Sequence, residues 1–132
     1  MPLKVKLVSL LVDDQAKAIA FYTEVLGFVK KTEFDVGEHK WLTVVSSDSD
    51  YVELSLEPSS GVEASAVYQK AIFEKGIPAT AFEVDDIAAE YKRLQARGVV
   101  FKSEPKDVGD GTMMAVFEDT VGNCIQMYQP KK

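Results

Sequence analysis

The chain has 132 residues, 46% of them hydrophobic, with a formal net charge of −6. That length suits one domain burying roughly two-thirds of its unfolded surface, and the acidic balance argues against nucleic acid or an anionic membrane as a partner, since both reward clustered Lys and Arg. A single cysteine, Cys124, excludes an internal disulfide and a cysteine-based zinc site; with no signal peptide and no apolar run near the roughly 18 residues of a membrane helix, a cytoplasmic address is expected.

Taken from the N-terminus, "KVKLVSLLV" alternates and is rich in Val and Leu, so it reads as a strand. Asp13 or Asp14 is placed to cap the helix that follows. That helix, "QAKAIAFYTEVL", sets Ala18, Tyr22 and Val25 with Ile19 and Leu26 on one face, and Gly27 can take the left-handed conformation that ends it. Three strand candidates come next, "FVKKTEF", "KWLTVVS" and "YVELSLE", joined by the turns "DVGEH" and "SSDSD". A linking helix is expected at about 62–75 from the spacing of Val67, Ala71 and Phe73 or Glu74. The order then repeats with the strand "ATAFEV", the helix "IAAEYKRLQAR" and the strands "VVFKSEP", "TMMAVFE" and "CIQMYQ".

Short motifs repeat with it, each at an offset of 72. "VDD" occurs at Val12–Asp14 and Val84–Asp86, "DVG" at Asp35–Gly37 and Asp107–Gly109, and "EP" at Glu57–Pro58 is matched by "QP" at Gln129–Pro130. The chain therefore reads as one α+β domain of two tandem β-α-β-β-β modules, about 3–58 and 77–130. Their small sheets are expected side by side as one curved, barrel-like mixed sheet, helices outside and a ligand on the concave side.

The repeated module, "AIAFYTEVLGF" after "LLVDD", and "FEDTVGNCIQMY" together resemble the vicinal oxygen chelate superfamily, which contains glyoxalase I, extradiol dioxygenases and bleomycin-resistance proteins. Catalytic members hold one divalent metal with His or Glu side chains from the inner strands. Carried over by motif, the four ligand positions here are Leu7, Glu53, Ala79 and Gln126, with Leu54 as the other register for the second. Hydrocarbon side chains have no lone pair to give and a neutral amide is a weak ligand, so no metal and no other cofactor is expected.

Several side chains remain as candidates. Glu53 can orient a ligand or act as a base, although its alternation with Ser55 and Glu57 also fits a solvent-facing strand. Gln126 offers hydrogen bonds of both senses to a neutral polar ligand. Trp41, Phe73, Met113 and Tyr128 suit an apolar ligand wall or plain core packing. His39, the lone histidine, reads as an exposed loop residue or a general base, and Cys124 as a buried, inert thiol.

The resemblance implies a protein that binds a small, partly apolar organic molecule without metal, as a homodimer. One alternative is a lyase or dioxygenase, metal-dependent through ligands such as His39 and Glu53 or metal-independent with Glu53 as base; whether His39, Glu53 and Gln126 converge tells it apart. The other is an interaction module whose concavity is filled by its own side chains.

Overall fold

The computed structural model describes residues 2–131. The chain divides into two compact units, one running to Val67 and the other from Tyr68. Each holds a four-stranded sheet, so the fold is mixed α+β with two sheets and three helices.

In the first unit β1 (Leu7–Val12) leads into α1 (Gln15–Ala20), then β2 (Val29–Val36), β3 (His39–Ser46) and β4 (Ser49–Pro58). The sheet order is β1-β4-β3-β2, with β1 parallel to β4 and the other pairs antiparallel. Asp14 caps α1, its carboxylate accepting from the Lys17 N–H at 3.0 Å. The helix then widens into a π-helical turn over Phe21–Val25, where Leu26 N–H reaches back to Phe21 O at 3.0 Å. Thr23 Oγ1 donates to Ile19 O at 2.6 Å in the same turn, the kind of side-chain bond that loosens an α-helical ladder. Gly27 ends the segment at φ 93°, a conformation a Cβ disfavours. α1 packs on β4, and Leu10, Val12, Ala18, Tyr22, Leu42, Val44, Leu54 and Leu56 are buried there. Because side chains alternate along a strand, this assigns one face of the sheet to the helix and leaves Leu7, Ser9, Leu11, Trp41, Thr43, Glu53, Ser55 and Glu57 on the other.

α2 (Glu63–Glu74) carries the boundary between the units. Beyond it, β5 (Pro78–Glu83), α3 (Ile87–Ala96), β6 (Lys106–Asp107), β7 (Met113–Glu118) and β8 (Cys124–Gln129) repeat the path, in the order β5-β8-β7-β6. Asp86 caps α3 through the Ala89 N–H at 3.1 Å, the counterpart of Asp14 at the shared offset. Ile125, Met127, Ala115 and Phe117 turn to the helix side with Ile87 and Leu94. Tyr91 and Phe117 both pack on Phe101, with ring centroids 4.6 and 5.5 Å away.

Two details depart from the sequence reading. The segment "VVFKSEP" makes only an isolated bridge, Phe101 with Phe117, flanked by Lys102 N–H to Val116 O and Glu118 N–H to Val100 O. Ser103 Oγ takes the Val116 N–H at 3.1 Å, and Pro105 has no N–H to give, so the ladder breaks and resumes as the two-residue β6. The second detail is a bulge: Pro78 stands opposite Cys124 and Thr80 opposite Ile125, which leaves Ala79 as the extra residue. Past it, Glu83 faces Tyr128 whereas Leu11 faces Glu57. The structural partner of Glu57 is thus Tyr128, and the "EP"/"QP" match lies one residue out of register.

The loop entering β8 is held by a buried carboxylate. Asp119, fully buried, accepts from Val121 N–H, Asn123 N–H and Asn123 Nδ2 at 3.0, 2.9 and 2.8 Å. Gln69 of α2 closes the same loop, donating to Val121 O and Asn123 Oδ1. Among the described residues no helix is long and apolar enough to cross a membrane.

Candidate functional site

On the face of the first sheet turned away from α1, one row of small hydroxyl side chains crosses all four strands. Ser9 stands opposite Ser55, Ser55 opposite Thr43, and Thr43 opposite Thr32. Longer side chains flank the row on both sides and bury Thr43 and Ser55 between them, so the row is the bottom of a trough whose accessible surface lies on its banks. Leu7 and Glu53, directly opposite each other, lie on one bank. Leu11 and Glu57 form one part of the other bank, and Trp41 and Phe34 form the rest.

The hydroxyls hold the carboxylates. Thr43 Oγ1 donates to Glu53 Oε1 at 2.8 Å, and Ser9 Oγ donates to Glu57 Oε2. Thr43 and Ser55 are buried, while Glu53 and Glu57 are half-buried. Phe34 and Trp41 stack with ring centroids 6.4 Å apart at 21°. Phe34 is 54% exposed and Trp41 37%, far more than ring packing in a core would leave. Beside Trp41 the ladder between β3 and β4 opens, and the Gln15 amide fills it. Its Nε2 donates to Lys40 O and Leu56 O, both at 2.8 Å, and its Oε1 accepts Lys40 N–H at 3.0 Å.

In the second sheet the corresponding face carries Ala81, Gln126 and Val116 in one row, and Glu83, Tyr128 and Met114 in the next. Gln126 Nε2 points at Met114 Sδ, 2.9 Å away, and the Tyr128 hydroxyl lies 3.5 Å from Glu83 Oε1. Cys124, fully buried, is on this face too. Burial pushes its thiol pKa up, only partly opposed by the Lys102 ammonium, so it stays a neutral thiol.

Among the sequence candidates, Trp41 and Glu53 thus share one face of the first sheet, and Gln126 and Tyr128 one face of the second. Met113 lies on the opposite face from Gln126, paired with Gln129, and Met114 takes the place beside the amide. Phe73, on α2, has the Lys102 ammonium 5.5 Å from its ring centre. Phe34 and the hydroxyl row were not singled out from the sequence. His39 lines a different space, a cleft of about 480 Å³ at the start of α1, with Asp13, Asp14, Gln15, Glu33 and Lys40 among its other walls. None of the six candidate ligand-binding residues lines that cleft. Lys40 there is tied to Asp35 and Glu33 at 3.1 and 3.5 Å. The Asp35 hydrogen bond and charge, then Glu33, hold the Lys40 pKa above its usual value, and Lys30 holds Glu33 below its own. Glu53 and His39 therefore have separate surroundings.

The four positions that align with metal ligands do not fit a metal. Leu7 is hydrocarbon opposite Glu53, Ala79 is a methyl group on a bulge, and the Gln126 amide points at Met114. Among the described residues no group of three or more His, Cys, Asp or Glu side chains is placed to hold an ion.

Comparison with known proteins agrees with this architecture. The family model described as Glyoxalase/Bleomycin resistance protein/Dioxygenase superfamily matches residues 4–127. The uncharacterized protein YurT of Bacillus subtilis (strain 168) is 48% identical over 128 residues, 96% of this chain and 99% of that protein. Among solved structures, UcmS2 superposes with a TM-score of 0.84 at 33% identity, covering 97% of this chain and 98% of its own. TnmS3, an antibiotic binding protein from Streptomyces sp. CB03234, gives a TM-score of 0.74 at 30% identity, covering 98% of both chains.

Proposed function

Because the chain belongs to the Glyoxalase/Bleomycin resistance protein/Dioxygenase superfamily while the aligned ligand positions Leu7 and Ala79 have no donor atoms, we propose that it binds a small, partly apolar organic molecule without metal chemistry. The observation that carries this reading is the stacked, half-exposed Phe34–Trp41 pair beside a hydroxyl-floored trough. Aromatic faces left in water cost hydration free energy that a flat apolar ligand recovers on stacking. The half-buried carboxylates of Glu53 and Glu57, held by Thr43 and Ser9, fix the orientation of the ligand's polar edge. The likeness to an antibiotic binding protein supports this class of ligand. We read the working form as a homodimer, in line with the resemblance; the exposed Leu3 and Val5 ahead of β1 offer apolar surface for pairing.

Trp41 is the only tryptophan, so its fluorescence reports on this site alone. Titration with flat aromatic compounds is expected to quench it saturably, and Trp41→Ala, followed by calorimetry, to weaken binding about tenfold or more. Equal affinity in wild type and Trp41→Ala would show that the ligand sits elsewhere. Metal content is part of the same test: below about 0.1 ion per chain after dialysis against Ni²⁺, Zn²⁺, Mn²⁺ or Fe²⁺ is expected for so poor a donor set. One tightly held ion per chain would overturn the reading.

A further inference from the structure

Resting on that reading of the trough, we propose that its ligand is a planar organic cation, an aromatic frame bearing a protonated amine or amidine. Negative charge on this face is left over after the internal contacts. Glu53 and Glu57 stand on the trough face of β4, and among the described residues neither is paired with a cationic side chain. Each receives one hydroxyl, from Thr43 or Ser9. A carboxylate has roughly four acceptor sites, so most of each one's capacity has no internal partner.

The lysines on the strands of the first sheet are engaged elsewhere. Lys30 is bonded to Glu33, Lys31 to Asp50, and Lys40 to Asp35 and Glu33. Lys6 is the nearest in sequence to the Glu53 row, its backbone carbonyl accepting the Glu53 N–H. Yet its ammonium sits 4.0 Å above the Tyr51 ring and not on Glu53.

Glu57 shares a bank with the exposed π faces and Glu53 lies across the row from them, so two half-buried carboxylates without counter-ions and an aromatic pair form a surface that favours positive charge twice over. The ring quadrupole of Trp41 attracts a cation placed over its face, and a carboxylate strengthens any hydrogen bond from a charged N–H. A neutral or anionic aromatic gains only the stacking and leaves the carboxylates without a partner. Glu53 and Glu57 are four residues apart on one strand, about 13 Å, which spans a two- or three-ring frame. The corresponding positions of the second sheet, Cys124 before the bulge and Tyr128 after it, carry no carboxylate, and Glu83 on that face stands beside the Tyr128 hydroxyl, so the carboxylate pair belongs to the first sheet.

The test compares two probes of nearly equal shape, 9-aminoacridine, a cation at pH 7.5, and acridine, neutral there. Calorimetric titration of the full-length protein is expected to show the cation binding about tenfold tighter. That preference should shrink to about twofold in Glu53→Gln and Glu57→Gln, chiefly through loss of 9-aminoacridine affinity, and Trp41→Ala should weaken both probes. The amides keep the acceptor for Thr43 and Ser9, and matching thermal melts confirm that the fold survives. Equal binding of the two probes, or a preference that persists in both Gln variants, overturns the cation assignment while leaving the aromatic trough standing. If neither probe binds, or Trp41→Ala binds both as wild type does, the trough reading falls and this inference with it.

Discussion

The two sheets follow the same path through space and bury the same kind of face, yet their other faces share almost no chemistry. Against its helix the first sheet packs Leu10, Leu54, Leu56 and Val44, and the second Ile125, Met127, Ala115 and Phe117. Away from the helix, the row Ser9–Ser55–Thr43 in one becomes Ala81–Gln126–Val116 in the other. The row Leu11–Glu57 becomes Glu83–Tyr128, and Trp41 gives way to Met114. Helix-side positions are constrained by packing, where a methylene more or less is felt. The other face is packed less completely: Thr43, Ser55 and Cys124 are buried, but the residues around them are half-buried or exposed. The duplicated modules can therefore diverge there more widely into hydroxyls, carboxylates and aromatics.

The largest expected effects test the shared half of this comparison. Leu56→Ala and Ile125→Ala, one in each sheet and both fully buried, should each cost about 2–5 kcal/mol in urea unfolding. Val116→Ala, on the face away from α3, should cost clearly less. A trough-side or amide-side substitution costing as much as Leu56→Ala would mean that both faces are packed cores. Next in size is a feature of the second unit, the buried carboxylate of Asp119. Asp119→Ala strands buried N–H donors of Val121 and Asn123 and should cost about 3 kcal/mol, each lost acceptor being worth roughly 1–3.

Helix caps sharpen the comparison at a smaller scale. Asp14→Ala and Asp86→Ala remove equivalent bonds of 3.0 and 3.1 Å, so each should cost about 1 kcal/mol. A several-fold difference between them would show that the modules do not use their helices alike. The smallest effect is a pH dependence. Burial first, and the nearby Glu118 and Asp119 after it, raise the Cys124 pKa against the opposing pull of Lys102. The contribution of the neutral thiol to stability is then complete below the unfolded thiol's pKa, about 8.5. It fades as pH climbs through the higher folded value, because the unfolded chain gives up its proton first. Thiol labelling of the folded protein at pH 8 should accordingly be much slower than in urea. Labelling at the unfolded rate would show that Cys124 is open to solvent.

How much of this could be read from the sequence depended on whether a pattern had a phase. "CIQMYQ" alternates, so both its strand and the facing of Gln126 were legible. "TMMAVFE" is apolar on both sides, so alternation could not tell Met113 from Met114, and only the pairing of Met113 with Gln129 decides it. Phe34 was within reach, since the tight "DVGEH" turn sets Val36 opposite His39 and therefore Phe34 opposite Trp41. The hydroxyl row was not. It needs the parallel pairing of β1 with β4, which joins residues far apart in sequence and has no local signature. The bulge at Ala79 was hidden too, because a motif match at constant offset cannot register one extra residue in a strand.

That same parallel pairing also sets the order of events when the chain is made. β1 is an edge strand of its sheet, paired with β4, the last strand of the unit, so Leu7 must wait for Glu53 before either is satisfied. Contacts of such long sequence separation are entropically late and slow to form. During synthesis the hairpin of β2 and β3 can zip as it emerges, while "LVSLLV" remains an unpaired apolar edge in search of a mate. Any neighbouring nascent chain that offers a free strand could occupy it first. The trough is thus the last part of the first unit to take shape, and the part most exposed to competition while it does.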